Sequence, residues 1–234
     1  MSNLIDWKTI ENHIGWGRPD APVVFIGMEE GYSGKEKEIE KHKAELEAHL
    51  IERSMYPEIS EIDFSKANRV IRTYRAPCHF MLRREFMVNQ KPFEAPKNLD
   101  LLEYQKTFGM STGDVFLLEL FPYPARATTV WPYSDPPFFR DNDRASYIKR
   151  LLEPRSKLLM NAINLVHREA IICYGKAYQK YYKGIFPENL SWKDEFSFQY
   201  TEWNRQKIAI VPHFSSRVFN SISKADDLFE LIYG

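Results

Sequence analysis

The sequence predicts an α/β protein: a three-layer α/β/α sandwich around a central, mostly parallel sheet of four strands. Two observations carry this reading. Four short apolar runs each end at Gly, Pro or a polar residue, and helical patterns lie between them. The length agrees, because 234 residues suffice for one such domain and are cramped for two. The expected organisation is a single domain over 1–234 with a helical insertion at about 33–110.

The first run, PVVFIG at 22–27, is β-branched and aromatic, as a strand buried on both faces is. DVFLLEL at 114–120, AIICYG at 170–175 and KIAIVPH at 207–213 share that character. Between the first two, KEKEIEKHKAELEAHLIER at 35–53 has a narrow apolar stripe of Ile39, Leu46 and Leu50, with opposite charges four apart. It reads as a solvated helix lying on the domain, or as a partner-binding arm. Helical spacing recurs at 153–169 and at 224–233, where a short helix closes the chain. Strands alternating with helices place ligands beyond the carboxyl ends of the strands.

Lys plus Arg and Asp plus Glu both number 32, so the net charge is zero and no whole-chain field draws the protein to nucleic acid or membrane. An anionic partner must meet a local patch. The one basic and aromatic concentration is ANRVIRTYRAPCHFMLRREF, with Arg69, Arg72, Arg75, Arg83 and Arg84 around Tyr74 and Phe80. It suits phosphate contacts and base stacking, and equally the outer face of a helix. Cys78 and Cys173 are too few for a four-cysteine iron–sulfur cluster and match no zinc or disulfide pattern. No run resembles a signal peptide or approaches the roughly 18 apolar residues of a membrane span. The expectation is a cytoplasmic monomer with no membrane association, metal or cofactor.

The strand ends carry the functional signal. GMEEG (Gly27 to Gly31) follows the first strand and VPHFSSR (Val211 to Arg217) contains the end of the last. DVFLLELFPYPA and EAIICYGKAYQKYY lie between them, in an order and spacing that resemble the uracil-DNA glycosylase superfamily over nearly the whole chain. The motif forms are most similar to its mismatch-specific and single-strand-selective branches. The resemblance implies a DNA glycosylase fold and a flipped base as substrate. It puts Glu29 where the superfamily keeps the Asp or Asn that handles water, and His213 where a histidine stabilises the departing base. Glu30 stands in place of a proline, and so does Phe214.

The same resemblance assigns Gly27, Met28, Tyr32, Glu119 and Tyr123 to the base, with Tyr123 or Trp131 as a stacking wall. Ser215, Ser216 and Arg217 are assigned to phosphate at a helix N-terminus. Glu119 replaces the Asn that reads uracil. An ionised Glu only accepts hydrogen bonds, which favours a base edge rich in donors; alternatively Glu119 pairs with an arginine such as Arg126. The glutamates at 29 and 30 also fit a strand-to-loop junction favoured by a following helix dipole. A nucleophilic Ser215 activated by His213 is not expected, because side chains two apart on a turning loop rarely meet and no Gly-x-Ser-x-Gly elbow exists. Beside hydrolysis of an N-glycosidic bond stands a second reading: a non-catalytic member of the fold that binds a nucleobase, a nucleotide or single-stranded nucleic acid.

Overall fold

The computed structural model of the protein describes residues 5–29, 39–125 and 131–234, with the backbone alone at 39–42. Its strands are β1 (Gly15–Gly17), β2 (Val23–Gly27), β3 (Ile59–Ser60), β4 (Val115–Glu119), β5 (Ala170–Tyr174), β6 (Lys193–Glu195), β7 (Phe198–Trp203) and β8 (Gln206–Val211). The helices are α1 (Trp7–Asn12), α2 (Ile39–Arg53), α3 (Arg72–Val88), α4 (Asn98–Gln105), α5 (Arg144–Ile163), α6 (Gln179–Lys183) and α7 (Ser223–Tyr233).

The strands form one mixed sheet in the order β3-β1-β4-β2-β5-β8-β7-β6. The four strands read from the sequence are its centre, β4-β2-β5-β8, and they are mutually parallel. The expected four-stranded sheet is corrected to eight strands. On one side β1 pairs antiparallel to β4 and parallel to β3; on the other, β7 and β6 add an antiparallel meander to β8. Each of those last two hairpins turns on two residues of positive φ, Phe196 with Ser197 and Asn204 with Arg205. This is the backbone that two-residue turns need to follow the twist of the strands. Of the four only Asn204 is a residue that such turns favour, and no glycine stands at either turn, so these strands left little mark in the pattern.

Side chains alternate along the parallel strands and build a core on each face. Val24, Ile26, Phe116, Leu118, Ile171 and Cys173 pack with residues of α2 and α5. Val23, Phe25, Leu117, Ile172 and Val211 pack with α3, α4 and α7. The result is helices on both faces of an α/β sheet. Helix α7 lies where expected, whereas α5 starts and ends earlier than 153–169. Asp143 caps its start by accepting from the Ser146 amide at 2.7 Å. Beyond its end, the buried Arg168 donates to the carbonyls of Ile163 and Ala162 at 3.2 and 2.9 Å.

The arginine-rich stretch is divided between interior and surface. Arg84 is 7% exposed and bonds Glu169 through Nε and Nη2, each at 2.6 Å. Arg83 pairs with Asp226 at 2.8 Å and with Glu230. Both are consumed in tying α3 to the rest of the domain. Arg69, Arg72 and Arg75 remain exposed.

Strand β2 lies between β4 and β5, so the chain crosses from it first to one side and later to the other. Such a reversal opens a crevice at the carboxyl ends of the strands.

Candidate functional site

A cleft of about 630 Å³ occupies that crevice, within the size range of small-ligand sites. Each of the four parallel strands delivers a residue to it: Met28 and Glu29 after β2, Glu119 from β4, Tyr174 from β5 and His213 after β8. Trp16, Tyr56, Phe64 and Tyr74 add aromatic walls. Four residues assigned from sequence, Met28, Glu29, Glu119 and His213, are therefore brought together. Gly27 does not line the cleft itself but lies under the lining residue Tyr174, whose hydroxyl would stand 2.6 Å from a Cβ there. The glycine lets the Tyr174 ring reach across β2. Gly27→Ala is expected to push Tyr174 off the floor and cost about 1–3 kcal/mol, read as a lower urea midpoint.

Glu29 has a side chain 5% exposed and is held by Arg144, at the start of α5. The Tyr178 hydroxyl lies 3.4 Å from its other oxygen and 3.1 Å from Arg144 Nε. Burial pushes the carboxyl up to about 7, against the pull of Arg144 and Tyr178. Glu29 is thus poised to exchange a proton near neutral pH, as a general base needs.

Glu119 is ion-paired, and its partner is Arg53, 3.0 Å away with a fully buried side chain. The partner suggested by sequence, Arg126, lies outside the described residues. Arg53 also lies 3.3 Å from His13 Nδ1 and 5.5 Å from the Trp16 ring centroid. Burial and the charges of Arg53 and Arg155 push His13 down to about 3, so it stays neutral beside them. Helix α2 lies on the domain through Leu46 and Leu50 of the expected stripe with its other face exposed, and it also buries Arg53, which carries a charge to the base of the cleft.

His213 accepts at Nδ1 from the Ser215 amide at 3.2 Å. The neutral ring then carries its proton on Nε2, and burial holds its pKa below the usual range. Ser215 Oγ lies 2.7 Å from the same Nδ1. This corrects the expectation that the two side chains would not meet, because the tight turn folds Ser215 back under the ring. No carboxylate orients the imidazole among the described residues, and Ser215 does not line the cleft.

Other assignments move. Tyr123 is fully buried; its hydroxyl donates to Glu11 and accepts from Arg140 Nε at 2.9 Å, and its ring stacks on Tyr147 with centroids 4.6 Å apart. It is core and lines no part of the cleft. Trp131 donates to the Asp141 carbonyl and packs on Tyr133 and Tyr147. The aromatic side chains that line the cleft are Trp16, Tyr56, Phe64, Tyr74 and Tyr174 instead. Ser215 and Ser216 precede a 3-10 turn at Arg217–Asn220, which Arg217 begins, and Ser216 Oγ is buried. The helix that begins there is a single 3-10 turn with Ser216 at its N-cap, not an α-helix. Tyr32 and Glu30 lie outside the described residues.

Arg53, Arg144 and Tyr178 were missed. Tyr178 stood in the quoted stretch after β5, but nothing local ties Arg144 to a glutamate 115 positions away. Among the described residues, no three His, Cys, Asp or Glu side chains are grouped to hold a metal, and no helix is long and apolar enough to cross a membrane. No protein-family model and no curated protein matches the chain.

Proposed function

We propose that the protein is a divergent DNA glycosylase-like hydrolase, of the kind its motifs resemble, that cuts the N-glycosidic bond of a flipped, damaged or modified base. The observation that supports this most is the convergence of Glu29, Glu119 and His213 on one cleft at the carboxyl ends of three parallel strands. In this reading the extruded base lies on Tyr174. As the C1′–N bond breaks, its electron pair passes to the base, and the His213 Nε2–H stabilises the charge that develops there. The oxygen of a water adds to C1′ while Glu29 takes its proton. Arg144 favours the ionised carboxylate that must do so. Exposed Arg69, Arg72 and Arg75 flank Ile71, Thr73 and Tyr74 on the cleft wall, giving a strand of nucleic acid a basic edge beside an acidic interior.

A second reading, a non-catalytic binder of nucleobases or single strands, is favoured by the ion pair that already engages Glu29. Oligonucleotides carrying uracil, hypoxanthine, xanthine or methylated bases, incubated with the protein and then with alkali, separate the two. Hydrolysis predicts scission on at least one substrate. Retention of the DNA with no scission on any of them would leave the binder.

A further inference from the structure

Resting on the reading of the cleft as a base site, we infer that it takes a ring-alkylated base that carries a positive charge, such as 1-methyladenine, 3-methylcytosine or 7-methylguanine, in preference to a neutral one. Aromatic rings reach the cleft from separate parts of the chain: Trp16 from β1, Tyr56 after α2, Phe64 after β3, Tyr74 from the first turn of α3 and Tyr174 from the end of β5. The face of an aromatic ring is the negative end of its quadrupole, so such rings attract a flat cation where they would only stack on a neutral base. Phe64 packs on Tyr74 with centroids 4.9 Å apart, and the chain just before it adds Glu61 and Asp63 to the lining. Both of these carboxylates are exposed and so stand at the mouth of the cleft. Hydrogen bonding by the side chain and amide of Ser111 holds Glu61 below the usual carboxylate range, and Ser65 does the same for Asp63. Each therefore carries its charge at neutral pH.

No lysine or arginine is among the described lining residues; Arg53 and Arg144 pair with Glu119 and Glu29 from outside the lining. A cleft walled by rings and edged by one sign of charge focuses its field on whatever enters. Arg69, Arg72 and Arg75 flank Ile71, Thr73 and Tyr74 without lining the cleft, and Arg72 donates to Asn220 at 2.8 Å. They suit the phosphates of a strand, while the base alone passes the carboxylates. The chemistry agrees. When the C1′–N bond of a cationic base breaks, its electron pair returns to the ring and cancels the positive charge, so the base leaves neutral. The oxygen of water adds to C1′ and Glu29 takes its proton, as for any other base. His213, kept neutral by burial, then has a hydrogen bond to give and no anion to balance.

The test titrates 1-methyladenosine, adenosine and N6-methyladenosine into the wild-type protein at neutral pH, followed by tryptophan fluorescence, since Trp16 lines the cleft. The first carries a positive charge, the second does not, and the third has the same methyl group without the charge. 1-Methyladenosine should bind about tenfold more tightly than either of the others, and the advantage should shrink as salt is raised. Equal affinity for 1-methyladenosine and adenosine, N6-methyladenosine binding as tightly as 1-methyladenosine, or no binding of any probe would overturn the inference. Glu61→Gln with Asp63→Asn keeps an oxygen to accept from the Ser111 and Ser65 amides; the double variant should lose most of the preference and keep its affinity for adenosine. An undiminished preference there would overturn the inference as well. A thymidine oligonucleotide carrying one 1-methyladenine, titrated in parallel, separates a strand-borne base from a free nucleoside as the source. Base release from that strand, detected by mass against a sample without protein, is scored separately. Preference for the cation without release removes the hydrolase reading and keeps the inference. Release of uracil or hypoxanthine by a protein with no preference for the cation does the reverse.

Discussion

Glu29→Gln is expected to make the protein more stable at pH 8 and, if the protein hydrolyses N-glycosidic bonds as proposed, to slow base release. Burial raises the Glu29 carboxyl from 4.5 to about 7. Between those values the folded state keeps a proton that the unfolded chain has lost. The stability contributed by that proton is fully present below about pH 4.5 and is lost as pH rises through 7. At 1.36 kcal/mol per pKa unit the loss is at most about 3 kcal/mol. Glutamine imitates the protonated acid. The variant should therefore gain several degrees in Tm at pH 8, at roughly 2–4 °C per kcal/mol for a chain of this size, and match the wild type near pH 4.5. Calorimetry at the two pH values measures it. A variant less stable than the wild type at pH 8 would mean that Glu29 and Arg144 form an ordinary structural ion pair. A gain would mark a group kept at a cost to the fold, as site residues are.

Arg53→Ala should have the opposite and larger effect. Its guanidinium is wholly buried against Glu119, His13 and Trp16, so removing it takes away the 3.0 Å ion-pair partner of a carboxylate whose side chain is only 7% exposed. Breaking a buried pair from one side costs about 3–5 kcal/mol, which should lower Tm by roughly 10 °C. Replacing both partners, as Arg53→Met with Glu119→Leu, should recover most of that loss, because an apolar pair of similar volume removes both buried charges. If Glu119 contacts the base as proposed, the double variant should still fail to bind it. Recovery of both stability and binding would assign the pair to the fold alone.

The central strands were legible because burial on both faces turns each into a compact apolar run. The edges were not: β1 and β3 are only three and two residues long, and β6 is exposed throughout, so neither burial nor alternation marks them. In the site, Glu29, Glu119 and His213 could be placed because their positions at strand ends are local properties of the chain. Their partners could not. Arg53 meets Glu119 across 66 residues and Arg144 meets Glu29 across 115, distances that only the folded sheet closes. Tyr123 was misread for the same reason. An aromatic in a proline-rich loop looks the same whether it faces a ligand or the core, and the carboxylate that satisfies its hydroxyl is Glu11, 112 residues away.

Hydrolysis through Glu29 is tested most directly by single-turnover release of free base, detected by mass, from oligonucleotides with modified bases, with wild type and Glu29→Gln assayed side by side. Hydrolysis with Glu29 as the base predicts release by the wild type from at least one substrate, slowed by about a hundredfold or more in the variant. Equal release by both proteins would contradict the role given to Glu29, and no release by the wild type from any base would contradict hydrolysis itself.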